Sequence, residues 1–71
     1  MKIREHRGFQ IQVQEGGKGY IAEVYRKERL LQTLSNPDDP AGQFHASEIA
    51  IQAAKEWIER TYPKVKIRYL E

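Results

Sequence analysis

His6 and His45 are the only imidazoles in this 71-residue chain, which has no cysteine. His45 lies between the Asp38–Asp39 pair and Ser47, a set that could serve a metal ion or a hydrolytic pair. A metal site needs three or four ligands converging at fixed spacing, and no such spacing is present. There is no P-loop, no G-x-S-x-G and no H-E-x-x-H. A domain of this size also has little room for a ligand pocket of about 300 Å3 or more. The aspartates read as a solvated loop pair and His45 as a residue near a helix start. The expectation is therefore a non-catalytic protein without metal or cofactor.

Amides are the more suggestive chemistry. Residues 8 to 14 read GFQIQVQ, in which Phe9, Ile11 and Val13 alternate with Gln10, Gln12 and Gln14. A period of two predicts a half-buried strand. Its polar side then presents three groups that both donate and accept hydrogen bonds. Charge adds a second cue. Twelve Lys and Arg against ten Asp and Glu give a net charge of +2, too small to identify a nucleic-acid binder. The distribution is uneven, however, with Lys64, Lys66 and Arg68 on one side of the tail and acids in Asp38–Asp39 and along the helix. Such asymmetry can steer a polyanion.

Positioning these groups requires a sheet. Glu15-Gly16-Gly17-Lys18 predicts a tight hairpin with a two-residue Gly16–Gly17 turn. That register sets Val13 opposite Tyr20, Ile11 opposite Ala22 and Phe9 opposite Val24, all on one face. Gln12 then faces Ile21, Gln10 faces Glu23, and Gly8 faces Tyr25, whose ring would cover the bare glycine backbone. The second predicted strand runs over about residues 20–26. Arg26-Lys27-Glu28-Arg29 is a turn by position, lacking Gly, Asn and Pro. The third strand is RLLQTL, residues 29–34, with either Leu31 and Thr33 or Leu30 and Leu34 toward the core. Ser35 to Gln43, SNPDDPAGQ, cannot propagate helix or sheet.

From Ala46 to Tyr62 the period becomes 3.6. Ala50, Ala54, Trp57, Ile58 and Thr61 form one stripe, flanked by Ile51 and Ala53. Ser47 is the expected cap, with Glu48 in the first turn, and Tyr62-Pro63 is the expected stop. Trp57 and Phe44 are read as core aromatics. The tail KVKIRYLE alternates Val65, Ile67 and Tyr69 with Lys64, Lys66 and Arg68, which predicts a last strand. The fold class expected is α+β, one domain over residues 1–71. Its antiparallel sheet has the order β-β-β-α-β, with one amphipathic helix packed on one face.

GFQIQVQEGGKGYIAEVYRKERLL followed by FHASEIAIQAAKEWIE resembles a recurring bacterial layout: three meandering strands, a phenylalanine, then a helix of the form A-x-x-A-A-x-x-W-I. The amino-terminal arm-binding domain of tyrosine-type phage integrases is similar, as is the HicB antitoxin domain. The likeness covers about residues 8–59 and lies in the packing pattern, so it carries no functional residue over. The integrase type implies a sheet that enters DNA; the HicB type implies binding of a small ribonuclease toxin. The long SNPDDPAG loop and the last strand depart from the integrase pattern.

The candidate binding face thus comprises Gln10, Gln12, Ile21, Tyr25, Lys64, Lys66 and Arg68, together with Glu23 and one or two leucines. Nucleic acid is the partner it suggests first, through phosphate contacts and stacking on Tyr25. The alternative is a protein partner or a weak homodimer, because Ile21 and a leucine share the face. No run approaches the roughly 18 apolar residues of a membrane span, and MKIREHRG lacks the apolar stretch of a signal peptide. A reducing cytoplasm is the simplest compartment for a chain without cysteine.

Overall fold

The computed structural model describes residues 2–63, which form four strands followed by one helix. The strands are β1 (Lys2–His6), β2 (Phe9–Glu15), β3 (Tyr20–Arg26) and β4 (Arg29–Leu34), and the helix is α1 (Ser47–Thr61). All strand pairs are antiparallel, and order in the sheet equals order in the chain, β1-β2-β3-β4. The class is α+β, as expected, but the element order is not β-β-β-α-β. The helix follows all four described strands, and the strand not expected from the sequence, β1, precedes β2. The strand expected over residues 64–71 lies outside the described residues.

Strand β1 escapes a hydrophobic-periodicity reading for a physical reason. Its helix-facing positions are Lys2, Arg4 and His6, opposite Val13, Ile11 and Phe9. Its one apolar residue, Ile3, points to the other face and is 54% exposed. Arg7 and Gly8, at φ 53° and 85°, close the β1–β2 hairpin in the two-residue form in which both central residues take positive φ. Gly8 is thus a turn residue, and Tyr25 does not cover it: Tyr25 pairs with Gln10.

The β2–β3 hairpin forms with a longer loop than Gly16–Gly17. Glu15 pairs with Tyr20, Val13 with Ala22 and Ile11 with Val24, a shift of two residues from the expected register. An even shift leaves every side chain on its predicted face. Residues 16–19 make the turn, closed by the Gly16 N–H donating to the Gly19 carbonyl at 2.7 Å. At the end of the turn Phe44 bridges Tyr20 through two reciprocal backbone hydrogen bonds of 2.7 Å. Gly19 is packed against this crossing, and a Cβ there would collide with the Phe44 carbonyl oxygen.

In β4, neither expected register holds alone. A bulge between Val24 and Tyr25 on the β3–β4 ladder sets Leu34 opposite Ala22 and Leu30 opposite Tyr25. Leu31 and Leu34 both pack against the core, while Leu30 is left on the far face at 49% exposure. The extra residue of a bulge allows this three-residue spacing.

The core consists of Phe9, Ile11, Val13, Ala22, Val24, Phe44, Ala50, Ile51, Ala54 and Ile58, with Tyr20, Leu31, Leu34, Ala53 and Trp57 packed around it. Phe44 is the core aromatic it was expected to be. Trp57 is only partly buried and meets Tyr62 edge-on, with ring centroids 6.0 Å apart. Thr61, expected on the buried stripe, is exposed. The cap residue is Ala46, in extended conformation and without a side-chain cap bond, so Ser47 does not play that role. The Tyr62 N–H closes the helix on the Ile58 carbonyl at 2.8 Å.

Candidate functional site

With α1 on one side, no element among the described residues covers the opposite side of the sheet. Strand alternation and register assign its residues. Gln10, Gln12 and Gln14 come from β2 and Ile21, Glu23 and Tyr25 from β3, while β1 adds Ile3 and Glu5 and β4 adds Leu30 and Thr33. Four of the expected face residues, Gln10, Gln12, Ile21 and Tyr25, are therefore brought together. Gln12 sits opposite Glu23, and Gln14 opposite Ile21. Lys64, Lys66 and Arg68 lie outside the described residues.

Glu23 organises the centre. Its Oε1 accepts from Gln14 Nε2 at 2.8 Å and from the Tyr25 hydroxyl at 3.1 Å. That hydrogen bond is the main reason the Tyr25 phenol is held above its ordinary range, with desolvation and the Glu23 charge acting in the same direction. Gln12 Nε2 donates to Gln10 Oε1 at 3.4 Å. One amide bond thus runs along β2 and one crosses to β3, and each amide keeps hydrogen-bonding capacity for a partner. Sequence reasoning missed Ile3 and Glu5, because β1 was not recognised. The one local signal was Gly8, a turn-forming residue directly before the apolar alternation of β2.

The basic residues of the amino-terminal segment face the other way. Lys2 Nζ and Arg4 Nη2 lie 3.4 and 3.2 Å from Glu48 Oε2. His6 Nε2 and Arg7 Nη1 lie 2.8 and 3.0 Å from the two oxygens of Glu59. These pairs form a charged seam between β1 and α1. The nearby Arg4 charge is the largest reason that the Glu48 carboxyl is held below the usual range, supported by Lys2. In consequence, no Lys or Arg side chain among the described residues belongs to the open sheet face.

The loop reading of Asp38 and Asp39 is refined. Asp39 Oδ2 accepts the backbone N–H groups of Ala41 and Gln43, both at 3.0 Å, and Asn36 Oδ1 accepts that of Asp38 at 3.0 Å. Asp39 is a loop organiser, and His45 is exposed. Among the described residues no group of three His, Cys, Asp or Glu could hold a metal ion. None of them forms a helix long and apolar enough to cross a membrane. Comparisons with known protein families, curated proteins and solved structures returned no match.

Proposed function

We propose that this protein is a non-catalytic binding domain whose uncovered sheet face receives a partner protein. The observation that carries the reading is the make-up of that face among the described residues. It combines Ile3, Ile21, Leu30 and Tyr25 with three amides and two carboxylates, and it has no cation. Glu5 and Glu23 would repel a phosphate backbone, which binds through Lys and Arg. Apolar groups bordered by amides suit a protein interface, with aromatic and aliphatic anchors at the centre and polar groups at the rim.

Charge complementarity favours a partner with a cationic rim over a second copy of this chain. Glu23 lies on a central strand, and a face-to-face dimer would bring two such carboxylates into a drying interface.

The test is selection of peptides from a displayed random library on the wild-type protein, with counter-selection against Ile21→Asp. The expected binders are apolar sequences carrying Lys or Arg, lost with Ile21→Asp and weakened by Glu23→Gln. A parallel NMR titration with a random single-stranded oligonucleotide should leave Gln12, Ile21 and Tyr25 unmoved. Saturable oligonucleotide shifts on those residues, or a library with no binder that separates wild type from Ile21→Asp, would overturn the reading.

A further inference from the structure

Apart from the open face, a depression at the β3–β4 hairpin end is lined by Arg26, Lys27, Arg29, Leu31 and Tyr62. Three features of it are unexplained by folding. Arg26 and Arg29 are direct cross-strand partners, a like-charge pairing that disfavours the hairpin. None of Arg26, Lys27 and Arg29 has an ion-pair partner among the described residues. The turn between them places Lys27 and Glu28 at φ 52° and 65°, a left-handed conformation that residues with a side chain disfavour. Strain that local sequence could have relieved with Asn-Gly is a reason to look for a function.

An aromatic platform lies beside these cations. The Tyr62 ring sits 5.0 Å from Phe9 at a tilt of 36° and 6.0 Å from Trp57 edge-on. Phe9 is buried, so Tyr62 is held from behind while 37% of it stays exposed. The Arg26 guanidinium stacks 4.9 Å over the Phe9 ring centroid. Stacking occupies the flat face of a guanidinium and leaves its N–H edge free to donate. Glu28 is the one acid in the turn, and it does not line the depression.

We propose that this hairpin end binds a nucleotide unit, its phosphate on the Arg26–Arg29 pair with Lys27 and its base on the Tyr62 ring. Guanidinium forks match phosphate oxygens in a bidentate manner, and a fixed aromatic ring accepts any base by stacking. An acidic peptide would use the cations and leave the ring idle. The site shares no residue with the open sheet face, so either can fail without the other.

The experiment is an NMR titration of the whole protein with three probes: inorganic phosphate, thymidine monophosphate and an oligothymidylate of about ten residues. Saturable shifts are expected at the Arg26, Lys27 and Arg29 amides and the Tyr62 ring with both nucleotide probes. A strand as the natural ligand makes the oligomer bind much more tightly than the monophosphate, and a free nucleotide makes the two similar. Lys27→Gln and Arg29→Gln, on the exposed turn, should each lower the salt slope of oligomer binding by about one unit. Tyr62→Leu should weaken oligomer binding on the order of 10-fold while leaving that slope unchanged. Absence of shifts at these residues, or shifts equal for inorganic phosphate and nucleotide and indifferent to Tyr62→Leu, would overturn the proposal.

Discussion

Three single residues show how local chemistry sets stability in this domain. Asp39 accepts two backbone N–H bonds inside the loop, so Asp39→Ala should cost about 1–3 kcal/mol. Asp39→Asn keeps an acceptor oxygen and should cost less, a ranking that urea midpoints would give. Ala46 begins the helix without a side-chain cap. Ala46→Asp therefore supplies both a capping oxygen and a favourable charge at the helix start, for a gain of about 1 kcal/mol. Glu28→Gly should likewise stabilise the protein by about 1 kcal/mol, read as a higher urea midpoint, by releasing the left-handed strain at that position. An unchanged or lower midpoint in either of these last two variants would mean that the backbone there does not have the conformation described.

At the scale of the element, β1 is the strand held differently from the rest. It supplies none of the buried core residues, and its helix-facing side chains meet α1 through exposed ion pairs that solvent and salt screen. Its amides should exchange with solvent faster than those of β2 and β3, and faster still at high salt. Glu48 sets the pH dependence of the seam. Because its folded-state pKa is lowered, the contribution is complete above about 4.3 and is lost as pH falls through the lower folded value. Protection of the β1 amides, taken relative to their intrinsic exchange rates at each pH, should therefore fall selectively in acid, and Glu48→Gln should remove part of that acid sensitivity. The same charged seam explains what was legible. β2, β3 and α1 announce themselves through apolar periodicity, and all three occur where it places them. β1 carries its inward positions as Lys2, Arg4 and His6, so no apolar period marks it. The hairpin register and the Leu31–Leu34 arrangement were hidden too: the turn takes residues 16–19 instead of Gly16–Gly17 alone, and a bulge in the β3–β4 ladder resets the leucines.

For the whole molecule, the uncovered face was half legible. Alternation in β2 and β3 located its glutamines, Ile21 and Tyr25, but the cations assigned to it, Lys64, Lys66 and Arg68, lie outside the described residues. Core substitutions should follow the burial observed: Ile58→Ala should cost about 2–5 kcal/mol, and Trp57→Ala, at the partly buried margin, should cost less. A reversed ranking in denaturant melts would place the centre of the core elsewhere. The sheet order has a kinetic consequence as well. Because neighbouring strands are consecutive in the chain, most strand pairings close short loops, the arrangement that favours rapid folding. The buried cluster joins β2 and β3 to α1 through Phe44, so a folding nucleus would assemble there, with β1 docking after the barrier. In a chevron, Ile11→Val should then slow refolding, whereas Arg4→Gln should leave the refolding limb in place and raise only the unfolding limb.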